Sequence, residues 1–198
     1  FEFFGGTVNA KYLYAYATAD DDYDFDFGYR GSVSFSVSKR DPQFVDAGDA
    51  GNGVECDNDG VGSSAQPFTH PKLFNMILVG PNNVNSLPNH NLGLRFRRAT
   101  QFTMKNSVIW GWMKGGLSLE SNETAQFVKD GVSVFENNSV GTFVPSLNFI
   151  SKATTILTSE QLKVLALGKG NKEIDVVIPE LDKPIWINGW TRFPTKGN

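Results

Sequence analysis

Asp20-Asp21-Asp22-Tyr23-Asp24-Phe25-Asp26-Phe27-Gly28 is the stretch that decides the fold. From Tyr23 onward, aromatic and acidic residues alternate. Alternate side chains of a strand point to opposite faces. Tyr23, Phe25 and Phe27 are therefore expected in a core, with Asp24 and Asp26 toward water.

The same short pattern recurs along the chain. Phe1-Glu2-Phe3-Phe4, Val54-Glu55-Cys56-Asp57, Leu94-Arg95-Phe96-Arg97 and Leu117-Ser118-Leu119-Glu120 read as Tyr23-Asp24-Phe25-Asp26 does, apolar-polar-apolar-polar, with Phe4 the exception. Their third positions are 3, 25, 56, 96 and 119, so the steps are 22, 31, 40 and 23. The short steps fit one coil of a solenoid; the long ones fit a coil plus an inserted loop. A second apolar segment follows each strand: Val8 to Ala19, Ser32 to Ser38, Leu73 to Val79, Phe102 to Trp112 and Phe127 to Phe135. Gly and Asn mark most of the corners. The loops Asp41 to Gly53 and Gly80 to Asn91 read as solvent-facing insertions.

A parallel β-helix accounts for this order. No coil buries its apolar face alone, and stacking buries it against neighbours. The inward columns would be Phe3, Phe25, Cys56, Phe96, Leu119 and Phe1, Tyr23, Val54, Leu94, Leu117. An antiparallel sandwich also produces alternation but does not require the repeated strand order. The expected fold is all-β: a right-handed parallel β-helix over residues 1–140, then a short helix and an aromatic capping segment over 141–198. The helix is placed at Thr158 to Gly168, with Thr158 or Ser159 as N-cap. Ile174 to Ile178 reads as a strand. Trp186 to Pro194 reads as a cap over the open end, with sugar stacking by the two Trp as the alternative.

Composition narrows the function. The 198 residues carry a net charge of −3 without a basic block, which argues against nucleic acid. The single cysteine excludes an internal disulfide and a Cys-based zinc cluster, and Cys56 reads as a buried small hydrophobe. No run approaches the roughly 20 apolar residues of a membrane span. No signal peptide is evident, and the opening on Phe1 suggests that earlier residues have been lost. His70 and His90, both in expected loops, form no metal or nucleophile motif. Asn122-Glu123-Thr124 and Asn137-Asn138-Ser139 match the glycosylation sequon, which matters only in a eukaryotic secretory route.

Placed in register, the outward positions form one file of Glu2, Asp24, Glu55, Arg95, Ser118 and another of Phe4, Asp26, Asp57, Arg97, Glu120. Two carboxylates about 5 Å apart repel by roughly 3 kcal/mol at an effective dielectric near 20. A cation, a shared proton or the arginines must relieve that. The ligand-binding candidates are Asp24, Asp26, Glu55, Asp57, Arg95, Arg97 and Glu120. If the face is catalytic, Asp24 and Asp57 are the acid and base candidates, and Arg95 or Arg97 the proton abstractor. The alternative is a structural ladder of neutralising charges. Asp20, Asp22, Asp24, Asp57 and Asp59 are the carboxylates that calcium would use, although the EF-hand spacing fails, with Phe68 at the twelfth position from Asp57. The other reading of Asp20 to Asp22 is a corner bonding local amides. No organic cofactor is expected.

Ala19 to Phe25, Gly53 to Asn58, Gly93 to Arg97 and the ending Trp186-x-x-Gly189-Trp190-Thr191-x-Phe193-Pro194 resemble surface lipoproteins of the Bacteroidetes, which are similar in fold to pectate lyases. Phe1 to Asn9 resembles the start of one of their middle coils. The resemblance implies a single-stranded right-handed β-helix and an outer-membrane, cell-surface address, often beside nutrient-uptake machinery. The leading expectation is a non-catalytic surface binding or accessory protein for glycan or another nutrient. The alternatives are a polysaccharide lyase or glycoside hydrolase on an acidic polysaccharide, and a spacer or adhesin.

Overall fold

The computed structural model describes residues 1–48 and 50–175. The chain winds through six coils of up to three short strands. The first holds β1 (Glu2–Phe4), β2 (Ala10–Lys11) and β3 (Tyr14–Tyr16); the second β4 (Tyr23–Asp26), β5 (Ser32–Ser34) and β6 (Val37–Lys39). The third holds β7 (Val54–Cys56), β8 (Lys72–Phe74) and β9 (Ile77–Val79); the fourth β10 (Leu94–Phe96), β11 (Thr103–Lys105) and β12 (Val108–Trp112). The fifth runs β13 (Leu117–Leu119), α1 (Asn122–Lys129), β14 (Val134–Glu136), β15 (Ser139–Thr142). The sixth runs β16 (Phe149–Ser151), α2 (Ser159–Gly168), β17 (Lys172–Glu173).

Each strand pairs in parallel with its counterpart in the next coil. Three sheets result, in the orders β1-β4-β7-β10-β13-β16, β2-β5-β8-β11-β14 and β3-β6-β9-β12-β15-β17. They are called the first, second and third sheets below. The winding is right-handed, as parallel crossovers are. The register of the first sheet is the one the repeats require: Phe3 opposite Phe25, Phe25 opposite Cys56, Cys56 opposite Phe96 and Phe96 opposite Leu119. Phe25, Cys56, Phe96 and Leu119 are fully buried. Burying one such large apolar side chain contributes about 1.5–3 kcal/mol. The rings stack along the axis, Phe3 on Phe25 at 5.2 Å and Phe1 on Tyr23 at 5.6 Å.

One residue turns each coil from its second strand to its third. Tyr12, Phe35, Asn75, Asn106 and Asn137 hold that corner, all at φ between 52° and 60°. Asn tolerates this left-handed conformation; Tyr12 and Phe35 are held there by the stack. Just inside the corner a polar ladder ties coil to coil. The Leu13 amide donates to Ser36 Oγ, Met76 to Ser107 Oγ, Ser107 to Asn138 Oδ1 and Asn138 to Asn171 Oδ1.

Several expectations need correction. Phe27 is 60% exposed, because the strand ends at Asp26 and Phe27 turns left-handed at φ 51°. The β-helix does not stop at residue 140: β16 pairs with β13 and β17 with β15. Phe149-Ile150-Ser151 breaks the alternation because Ile150 packs outward beside Gly115. Within the expected apolar segment Phe127 to Phe135, the first residues belong to α1, capped by Ser121, and only β14 is strand. The two inserted loops are not simply solvated. They lie on each other, the Leu87 amide donating to the Pro42 carbonyl and Asn91 to Gly51, and they bury Asn52 and His90.

The expected short helix is α2, with Thr158 and Gln161 forming a capping box. Its Leu162 and Ala166, with Leu157, join the core and cover the last coil. The Trp186 to Pro194 cap lies outside the described residues, as does the end of the Ile174 to Ile178 strand. Among the described residues, no helix is long and apolar enough to cross a membrane.

Candidate functional site on the first sheet

The outward face of the first sheet carries both expected files. Glu2, Asp24, Glu55, Arg95 and Ser118 are register partners in turn. Phe4 pairs with Asp26. Backbone bonds carry that second file on past the strand ends, from the Asp57 amide to the Phe25 carbonyl, Arg97 to Cys56, Glu120 to Phe96 and Lys152 to Leu119.

From the third coil onward the file is a closed network. Arg97 Nε bonds both Asp57 oxygens at 2.9 and 3.1 Å, and its Nη2 reaches Glu55 Oε2 at 2.6 Å. Arg95 bridges Glu55 Oε1 at 3.3 Å and Glu120 Oε2 at 3.1 Å. Arg98 adds a third bond to Asp57 at 2.7 Å, and Lys152 holds Glu120 at 2.7 Å. Charge-assisted bonds of this kind are the strong ones. Burial pushes the Glu120 carboxyl up, but Lys152 and Arg95 outweigh it and leave the group below its ordinary range.

The first two coils differ. Asp24 has no ion pair among the described residues. Burial, with Glu55, Asp26, Asp57 and Glu2 nearby, pushes it up to about 7. Burial also raises Glu55 to about 7, with Asp21 adding and Arg97 and Arg95 opposing. Burial raises Asp26, against the bond that its Oδ1 accepts from the Phe27 amide. Beside this acidic end stand two exposed rings, Phe4 and Phe27, each 60% exposed and edge-to-face at 5.9 Å.

Sequence reasoning missed Asn52 and its pairing with Asp21, which reads in the sequence only as part of the Asp20 to Asp22 corner. The Asn52 side chain donates to Asp21 Oδ1 at 2.8 Å and to Glu55 Oε1 at 3.4 Å, and its amide donates to Asp21 at 2.6 Å. Asp21 is pushed up to about 7 by burial, against those bonds. Arg98 and Lys152 were missed too. Arg98 directly follows Arg97, just past the end of β10, where strand alternation no longer applies. Lys152 belongs to the sixth coil, whose alternation is broken.

The five calcium candidates are not brought together. Asp22 turns inward into a buried pair with Arg40 at 2.9 Å and accepts from Thr18. Asp59 closes its own turn, bonding the Val61 and Ser63 amides and the Ser63 hydroxyl. Asp57 is occupied by Arg97 and Arg98. Among the described residues, no group of three or more His, Cys, Asp or Glu is arranged to hold a metal ion. The catalytic candidates are placed as follows: Asp57 is 5% exposed and locked by arginine, Arg95 and Arg97 are each bonded to two carboxylates, and Asp24 faces the acidic end.

Chemically, the closed half is a rigid ion-pair ladder. The open half offers hydrogen-bond acceptors and apolar ring faces side by side. No curated protein and no solved structure matched the chain. Residues 1–191 do match a family described as a pectate-lyase like beta helix domain. With nearly its whole length matched and its sheets wound as that fold requires, the chain belongs to the pectate-lyase like β-helix domain family.

Proposed function

We propose that this chain is a non-catalytic, glycan-binding β-helix, displayed at a cell surface as an accessory to nutrient capture, and that the ligand lies on the first two coils of the first sheet. One observation carries the non-catalytic part: both outward arginines are held between pairs of carboxylates, so neither is available as the base for a lyase reaction. Glu2, Asp24 and Asp26 can accept bonds from sugar hydroxyls. Phe4 and Phe27 can pack against the C–H faces of a sugar ring, as surface aromatics at binding sites do. The uncompensated acids favour a neutral sugar over a uronate at this end. The surface and outer-membrane address, and docking on an uptake complex, rest on the resemblance to surface lipoproteins.

A hydrolytic reading has one observation in its favour. Asp21, Asp24 and Glu55 are all raised to about 7 around Asn52, and perturbed carboxylates cluster at active sites. One experiment separates the two. A panel of neutral and acidic polysaccharides is scored for binding and for reducing-end or unsaturated products, with wild type, Phe27→Ala and Asp24→Asn. Binding that both variants weaken, without product from wild type, supports the binding protein. Product formed by wild type and lost in Asp24→Asn overturns it in favour of a hydrolase.

A further inference from the structure

Helix α2 covers the last coil without settling onto it. Its first turn is pinned where Ser159 Oγ accepts from the Ser151 amide at 2.9 Å. Its last turn is pinned where the Asn137 amide donates to the Lys169 carbonyl, and where the Asn171 side chain donates to the Phe135 and Ala166 carbonyls, each at 2.7 Å. Between these anchors the helix bridges β14 and the end of α1, and a cavity of about 80 Å³ is left beneath it. Val128, Val134, Phe135, Leu162, Leu165 and Ala166 line it. The hydroxyl in its wall, Ser133, already accepts from the Phe102 amide at 3.2 Å. Such a wall gives water little to bond and suits an apolar guest.

Charged groups stand at the rim. Glu136 and Lys169 border the cavity. Glu136 pairs with Lys105 at 2.8 Å and, more loosely, with Lys169 at 3.8 Å. Two cations on one carboxylate leave the rim net positive. The Lys169 side chain is 57% exposed, and an ammonium has three donors to place. If it turns to a ligand, Glu136 keeps Lys105.

We infer that this cavity binds a straight-chain monocarboxylate, with the alkyl tail under α2 and the carboxylate on the Lys169 ammonium. The volume is about half that of an apolar cavity that takes benzene, so the tail that fits has about three or four carbons. A longer chain has no room, and an amine of the same length meets a rim of its own sign. The site lies on the fifth and sixth coils, away from the acidic end of the first sheet, and does not depend on the glycan-binding reading.

The test titrates the whole chain at neutral pH with acetate, butanoate, pentanoate and octanoate, and with pentan-1-ol and pentylamine, by calorimetry and ligand-observed NMR. Pentanoate is expected to bind in the millimolar range. Affinity should rise about fourfold per buried methylene from acetate to pentanoate and gain nothing further at octanoate. Pentan-1-ol should bind more weakly and pentylamine most weakly. Lys169→Gln should weaken pentanoate by up to about fivefold and leave pentan-1-ol as in wild type. Ala166→Leu, which fills the cavity, should abolish binding. Val134→Leu takes up only one methylene of space, should weaken binding about fourfold, and keeps the test readable if Ala166→Leu does not fold. No binding of pentanoate by wild type, equal affinity for acetate and pentanoate, pentylamine matching pentanoate, or unchanged binding by Val134→Leu would each overturn the inference.

Discussion

Arg97 grips Asp57 with both carboxylate oxygens on one guanidinium nitrogen, at 2.9 and 3.1 Å, across two adjacent coils. Its other arm takes Glu55 at 2.6 Å. Removing it leaves two largely buried carboxylates beside each other, Asp57 with Arg98 alone and Glu55 with Arg95 alone. Arg97→Met is expected to cost about 2–3 kcal/mol, less than a fully buried pair would lose because Arg98 still holds Asp57. Urea unfolding with an unchanged m-value checks this.

The acidic end should make stability depend on pH. Burial holds Asp21, Asp24 and Glu55 at about 7 in the fold, above their ordinary values of 3.8, 3.8 and 4.5. The folded chain therefore holds protons that the unfolded chain releases. Their stabilising contribution is present at low pH and is lost as pH rises through about 7. Half-buried His70 and buried His90, both lowered by burial, act the other way below their ordinary range. A single variant isolates the carboxylate effect: Asp24→Asn should raise Tm by about 2–4 °C near pH 8, a gain of roughly 1 kcal/mol, and change it little near pH 5. An equal gain at both values would remove the charge explanation.

Asp22 and Arg40 form a fully buried pair, and Asp22 Oδ2 and Arg40 Nε and Nη2 make no hydrogen bond. Arg40→Met should cost about 3–5 kcal/mol, because it leaves a carboxylate buried without a partner. Adding Asp22→Asn should recover more than half of that loss, the coupling expected of groups in contact. Calorimetric melting of the two single variants and the double variant measures the cycle.

Trp112 is buried in a cradle of glycines. A Cβ on Gly53, Gly80 or Gly93 would stand 2.9, 2.8 or 3.1 Å from atoms of its indole. At Gly80 the same Cβ would also meet the Gly111 carbonyl at 2.7 Å, so the ring cannot simply move aside. Gly80→Ala is expected to destabilise by about 2–3 kcal/mol through overpacking. Gly60→Ala, at an exposed corner with nothing within 4 Å, should stay within about 0.5 kcal/mol of wild type.

The alternation in Tyr23-Asp24-Phe25-Asp26 and its four copies was enough to set the coil, the register of the first sheet and both charged files. Strand periodicity is a local property, and stacking repeats it. The sixth coil was hidden because Ile150 replaces a polar outward residue where neighbouring side chains cover it. Helix α1 was hidden because its apolar residues fall in a segment that also reads as strand.

The amino-acid order by itself determined which residues face out together, because side-chain direction in a strand is fixed by position. Only the tertiary structure decided which charges neutralise each other. Glu55 and Asp57 meet arginines from the next coil, Asp22 turns inward to Arg40, and Asp24 is left among acids. Those outcomes depend on side-chain reach, burial and the Asn52 loop, and partners 18 to 42 residues apart in sequence become neighbours only when the coils stack.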